Sequence, residues 1–434
     1  MVKLNPPKVA ALASLLLALA PGAWAADTTD RAAADQLFQA GKFAQAGAID
    51  ARLAARDPAD YPSILQLGRV ALLSNDLAAA RRWLSMAVAL KPGEARPRIM
   101  LAEAYYRQDD FQRAAETLRG VDMASNKMIS EQYPTLNIAK LESFKGQTPY
   151  EVTGPGEMTE VTFVKTDPLP VVSVRVNGGA PVTFFIDTGG SEVVLDKTFA
   201  QELGAPNFGA VKGTFSGGQQ AEVSHSRIDS LTLGAWTVHN LPAAVLPLRQ
   251  LSAGLGVRQI DGIIGTTLFY HFLATLDYRH GKLVLRRKTP DGTSRFLAAS
   301  GERITLPIWM ASDHFMVTWG QIEALPPSLL FIDTGLAGAG VKLASSVIDK
   351  AGIVLDQAKA SEGQGGGGAL KIVPYTVRRL ALGGLVETNV AGLYDGPFPW
   401  EQSFGFHLAG MVGHDLFRSR AVTFDFRDMQ MLIQ

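Results

Sequence analysis

The sequence predicts a multidomain chain in which an N-terminal all-α solenoid is followed by an all-β, bilobal half. Three observations carry that expectation. Residues 30–126 repeat themselves with a 34-residue period. From Thr159 onward the chain breaks into short β-branched runs separated by turn residues. Within that β-rich part four landmarks recur in the same order at a nearly constant offset, 146 to 149 residues. At 434 residues, 47% hydrophobic and 19% charged, the chain has room for several cores and an ordinary globular composition.

The first 25 residues read as an address rather than as part of the fold. Lys3 and Lys8 are the only charges before Asp27; the run Val9 to Ala20 is apolar, and Pro21-Gly22 and Ala23-Trp24-Ala25 follow. A basic start, a short apolar centre and a small-x-small site describe a secretory signal peptide cleaved after Ala25. This run of twelve residues, broken only by Ser14, falls short of the ~20 that span a bilayer. The expectation is a periplasmic or secreted protein with no membrane attachment after cleavage.

The solenoid is read from matched positions. Gly41, Asn75 and Asp109 are spaced by 34, as are Phe43, Leu77 and Phe111, and Pro58 and Pro92. Small or polar residues at a turn, an apolar residue two later and a helix-ending proline resemble the tetratricopeptide repeat, a helix–turn–helix unit. Ala79, Ala80, Ala114 and Ala115 let paired helices approach, and Leu72, Trp83, Tyr105 and Leu118 fill the space between them. About three units fit. Such stacks present a concave groove to a protein partner; a plain packing domain is the other reading, and both stay open. Residues 127–158 are polar with Pro and Gly, and read as a linker with one more helix near 130–144.

The β half divides into lobes at 159–297 and 298–434. Strands are expected at 161–164, 171–176 and 182–186, with brief helices near 196–204 and 343–352. The repeated landmarks are Phe184-Phe185-Ile186-Asp187-Thr188-Gly189 with Leu330-Phe331-Ile332-Asp333-Thr334-Gly335, and Leu231-Thr232-Leu233-Gly234 with Leu380-Ala381-Leu382-Gly383. Ile263-Ile264-Gly265 matches Met411-Val412-Gly413, and Thr275-Leu276-Asp277-Tyr278 matches Thr423-Phe424-Asp425-Phe426. A duplicated lobe follows.

An apolar strand ending in Asp-Thr-Gly, followed about 80 residues later by two apolar residues and Gly, resembles the aspartic peptidases. The lobes are small and Cys-free, closer to retropepsin-like subunits than to pepsin-like halves. The resemblance implies an all-β bilobal acid-protease fold over roughly 160–434 and an aspartic endopeptidase acting on peptide or protein. It implies that Asp187 and Asp333 form the catalytic dyad, that Thr188 and Thr334 grip the opposite loop, and that Gly189 and Gly335 let backbone approach the carboxylates. Flap residues would be Phe215, Ser216, Gly217 and Gly218 in the first lobe and Gly365 and Gly366 in the second. Because one chain carries both loops, the β lobes should act as a monomer, without cofactor or metal. Gly190 and Leu336 stand where the family often has Ser, Thr or Ala, and the first flap lacks a Tyr. Without a hydroxyl beside the dyad, the pH optimum should lie nearer neutral. Two other functions remain: a catalytically degenerate module that holds peptide uncleaved, and a scaffold working through the helical repeats.

Other chemistries have little support. No Cys means no thiolate catalysis, Cys-ligated zinc or disulfide. Lys+Arg equals Asp+Glu, 41 each, which argues against a nucleic-acid partner. There is no H-E-x-x-H, G-x-S-x-G or Walker loop, and the G-x-G-x-x-G at 363–368 lacks a βαβ setting. His414 and Asp415 are expected to cap a short helix, and Asp277 and Asp425 to brace turns.

Overall fold

A computed structural model describes residues 21–126, 129, 131–299 and 301–434. Most of the expected leader, residues 1–20, lies outside them. No helix among the described residues is long and apolar enough to cross a membrane.

An N-terminal helical region precedes a β-rich half. Helices α1 (Pro21–Gln39), α2 (Phe43–Arg56), α3 (Tyr61–Leu73), α4 (Leu77–Leu90), α5 (Ala95–Tyr106) and α6 (Phe111–Leu118) form three helix–turn–helix pairs. Gly41, Asn75 and Asp109, spaced by 34, turn the chain at φ 75°, 53° and 61°. That left-handed region suits Gly, Asn and Asp, which explains the residue types at the repeat turn. Asp76 and Asp110 then cap α4 and α6, accepting from the N–H of Ala79 (3.0 Å) and Arg113 (3.2 Å). Ala80, Ala114 and Ala115 are fully buried.

The same turns dock on the β half. A Cβ on Gly41 would sit 2.6 Å from Leu329 Cδ1, the Asn75 amide donates to Phe426 O (3.0 Å), and Asp109 faces His271 Nε2 (3.0 Å). Phe43 packs edge-on against Trp309 and Phe406. Arg107, buried with Glu103, donates to Leu72 O within the helices and to Ser312 O in the β half. One continuous apolar core therefore runs through helices and lobes. The turn edge of the helical stack is occupied by the chain itself.

Each lobe presents its Asp-Thr-Gly loop in the same way. Strand Pro181–Ile186 runs parallel to Gly262–Ile264, and Ser328–Ile332 parallel to Leu408–Val412. The N–H of Asp187 donates to Ile264 O and that of Asp333 to Val412 O, both at 3.0 Å. Below the loops, Phe272–Asp277 of the first lobe pairs antiparallel with Ala421–Asp425 of the second. Thr275 sits opposite Thr423, its equivalent 148 residues on, with their hydroxyls 2.8 Å apart. A residue that pairs with its own repeat lies on the local two-fold axis, so this sheet sets the lobes face to face.

The stretch expected to be a linker differs from that expectation. Strand Glu151–Thr153 already pairs with Thr237–His239, and Met158 lies in the first lobe's sheet, so the β half starts before 159. The extra helix is short, Ile138–Glu142, and Tyr133, Thr135, Leu136 and Leu141 are buried. Polarity suggested a solvated connector, but Leu136 and Leu141 supply an apolar stripe that needs cover. His414 and Asp415 are not caps: Gly413 occupies the cap position, His414 meets Asp167 (3.0 Å) and Asp415 meets Arg418 (2.8 Å). Asp277 and Asp425 do brace turns, through the N–H groups of His280 and Arg427.

Candidate active site

Asp187 and Asp333 face one another at the bottom of the cleft between the lobes. The hydroxyl of Thr188 accepts from Thr334 N (3.0 Å) and donates to Ile332 O (3.1 Å), while Thr334 Oγ1 accepts from Thr188 N (3.0 Å). Both threonines are fully buried, so each loop is clamped by the other's side chain and backbone. Thr266 Oγ1 braces the first loop further by donating to Thr188 O (2.8 Å). Inside each loop the glycine N–H donates back to its own Asp, Gly189 to Asp187 Oδ1 (2.7 Å) and Gly335 to Asp333 Oδ1 (2.8 Å). A Cβ on Gly189 would lie 2.6 Å from Asp333 Oδ1, and one on Gly335 would strike Asp187. Only glycine permits this mutual approach.

The electrostatics follow from that approach. Burial pushes the Asp187 carboxyl up; the Gly189 N–H, Asp333 and the His314 imidazole pull it back. Asp333 is pushed much higher, by burial first and then by the charge of Asp187, with Lys342 opposing. Two carboxyls side by side at the bottom of the cleft hold a single proton to higher pH than an isolated carboxyl would, and that proton belongs to the pair.

Two polar groups beside the dyad had no signature in the sequence. His314 Nδ1 lies 2.5 Å from Asp313 Oδ1 and 3.2 Å from Ser191 Oγ, next to the Asp187 loop. Neither residue is singled out by the Asp-Thr-Gly pattern; the only hint is an Asp-His pair inside the apolar run from Trp309 to Trp319. On the other side, fully buried Lys342 is paired with Asp395 and donates to Ser216 Oγ (2.7 Å), which in turn donates to Asp395 Oδ2 (2.8 Å). Ser216 belongs to the first lobe; Lys342 and Asp395 belong to the second.

That network holds down the expected flap. Phe215, Ser216, Gly217 and Gly218 form the tip of the hairpin Ala210–Thr214 with Gln220–Leu233, Gly217 and Gly218 having φ of 70° and 72°. Gly365 and Gly366 lie at the tip of the matching hairpin, Ser361–Gly365 with Gly368–Leu382. The tips touch: a Cβ on Gly366 would meet the Phe215 ring at 2.6 Å, and one on Gly367 would meet Gln219 Cβ at 2.5 Å. Beneath them lies a cavity of about 1280 Å³ lined by both Asp residues and by apolar side chains, among them Phe185, Val194, Ile263, Phe315, Leu336 and Trp400. Nothing lies nearer to the Gly190 Cβ position than Asp187 O at 3.5 Å, with Gly265 Cα and Ile263 Cγ2 at 4.0 Å, whereas Leu336 is packed against Gly413. Among the described residues no group of three or more His, Asp or Glu is placed to hold a metal ion.

Residues 172–268 match the family model described as aspartyl protease. The matched stretch contains the first Asp-Thr-Gly loop, the first flap and the floor strand Gly262–Ile264. The second lobe repeats the same elements outside it. No curated protein matches the chain. The match supports protease activity and, with it, a peptide or protein substrate.

Proposed function

We propose that this chain is an exported aspartic endopeptidase of the retropepsin-like kind, hydrolysing peptide bonds with water activated by Asp187 and Asp333. The observation that carries the reading is the pair of Asp-Thr-Gly loops gripping one another through Thr188 and Thr334, with the two carboxyls facing across the local two-fold axis. With one proton between them, the ionised carboxylate takes a proton from water as its oxygen attacks the scissile carbonyl carbon. The protonated partner gives its proton to the carbonyl oxygen. The tetrahedral diol then collapses: the carbon–nitrogen bond breaks, the amine nitrogen takes the proton from one Asp, and a diol hydroxyl gives its proton to the other, ionised Asp as the carbonyl re-forms, so acid and amine leave and the dyad again holds one proton. No covalent enzyme intermediate forms. The apolar cavity walls favour apolar side chains around the scissile bond, and the two flap tips have to part to admit it.

The test is digestion of a peptide library at several pH values, with and without pepstatin, by the wild type and by Asp187→Asn and Asp333→Asn. Each variant should fold and lose hydrolysis, because each Asp is half of one proton-sharing unit. Substantial turnover by either folded variant rules out the dyad. Unchanged peptide binding with no wild-type cleavage would instead indicate a degenerate binding module. Export is tested separately, by sequencing the N-terminus of the mature chain, expected at Ala26.

A further inference from the structure

The two ends of the cleft are not alike. Strand register makes Glu192 of the first lobe the counterpart of Gly340 in the second: Val194 pairs with Ile263 as Lys342 pairs with Met411, so the loop after Asp333 is two residues longer than the loop after Asp187, and it includes Gly338. The two-fold axis therefore places these two loops on opposite sides of the dyad. Gly338 is exposed, and no atom lies within 4 Å of its Cβ position. Glu192 is 2% exposed, held by Lys140 Nζ at 2.6 and 2.8 Å and by the Tyr106 hydroxyl at 2.6 Å.

Lys140 comes from the stretch that joins helices to lobes, and that stretch crosses the groove. Gln132 is tied to the second lobe, its Nε2 donating to Ser403 O (2.8 Å) and its carbonyl accepting from Ser312 Oγ. Five residues on, Asn137 is tied to the first lobe, its Nδ2 donating to Phe208 O (3.2 Å). A segment anchored to both lobes spans the space between them. Tyr133, Thr135 and Leu136 within it are buried, and residues 131–139 line the same cavity as the two Asp residues.

We infer that the groove is open on the Gly338 side and walled by residues 131–140 on the Glu192 side, so that the peptidase proposed above cuts only near one end of a polypeptide. The inference rests on that reading for the chemistry and on the wall for the specificity. Chain beyond the wall has nowhere to go, so a terminus has to sit there. The distance available is bounded by the chain itself. Five residues separate Asp187 from Glu192 and reach at most ~18 Å fully extended, so an extended substrate covers it in no more than about five residues.

The experiment uses the full chain and one apolar-centred peptide, linear and head-to-tail cyclic, plus linear versions in which that sequence is moved stepwise from each end. Cut positions are read by mass spectrometry. The expected result is cleavage within about five residues of the same terminus in every linear peptide, and an intact cyclic peptide. Comparable cleavage of the cyclic form, or cuts deep in the chain from both ends, overturns the inference. If the wild type cuts nothing, fluorescence polarisation with the same labelled peptides decides. Cyclic peptide binding about tenfold or more weaker than linear supports the wall while the hydrolysis reading fails. Equal binding, or none, overturns the wall as well.

Discussion

Gly189 and Gly190 are neighbours with opposite expected sensitivities, which makes them a test of whether loop approach sets the dyad. A methyl group on Gly189 would lie 2.6 Å from Asp333 Oδ1 and 2.7 Å from its Cγ, backbone-borne and unable to rotate away. That is roughly 0.8 Å inside ordinary van der Waals contact, so the loops must part or Asp333 must turn. The Thr188–Thr334 clamp resists parting. Misplacing reacting groups by about 1 Å costs ~10²-fold in rate, or about 2.7 kcal/mol of transition-state stabilisation. Gly189→Ala should therefore lose about 10²-fold in kcat/KM while remaining folded, and Gly335→Ala, which strikes Asp187, should lose at least as much. Gly190→Ala meets nothing nearer than Asp187 O at 3.5 Å. It should stay within about twofold of wild type, the effect of substitutions that disturb nothing. The assay is steady-state hydrolysis of a fluorogenic peptide, with thermal melting as the fold check. Wild-type kcat/KM in a folded Gly189→Ala variant would refute the idea that glycine sets the carboxyl separation.

The same room lets Gly190→Ser place a hydroxyl beside Asp187; by stabilising the carboxylate it should move the acidic limb of the kcat/KM profile to lower pH, and an unmoved limb in an active variant counts against it. Asp333 binds its proton more tightly folded than unfolded, so its contribution to stability is present in acid and is lost as pH rises through the raised value. Asp333→Asn cannot ionise, so its Tm should fall less than that of the wild type between acid and neutral pH; parallel curves would show that Asp333 is not buried under strain. Lys140→Met leaves Glu192 buried without its counter-ion, at a cost of about 3–5 kcal/mol. Burial already pushes Glu192 up, so ionisation opposes folding and the cost should be larger in mildly alkaline than in mildly acidic buffer. Lys140→Met/Glu192→Leu should recover most of it, and a pH-independent loss without rescue would remove the pair from the account.

Local pattern carried far into this protein. A 34-residue period is visible because each repeat needs a residue tolerant of positive φ at its turn, and Gly41, Asn75 and Asp109 meet that need with three different side chains. The Asp-Thr-Gly loops and glycine-rich hairpin tips are equally local: a tight turn, an apolar strand before it and a close backbone approach leave a motif that duplication prints twice. What the linear order could not show is contact between distant segments. His314 stands beside the Asp187 loop only because the connection between Trp309–Met310 and Met316–Ile322 reaches Ser191, and Lys342, Asp395 and Ser216 meet only once a hairpin of one lobe lies on the other. Nor does polarity reveal that residues 131–140 are a wall. Their buried pair, Lys140 with Glu192, lies 52 residues apart. Sequence determined the two lobes and the two carboxyls, because strand, turn and glycine are short-range requirements. Tertiary structure alone decided that one end of the cleft is walled, because the wall comes from a segment outside the repeat and is held there by contacts to residues far away in the chain.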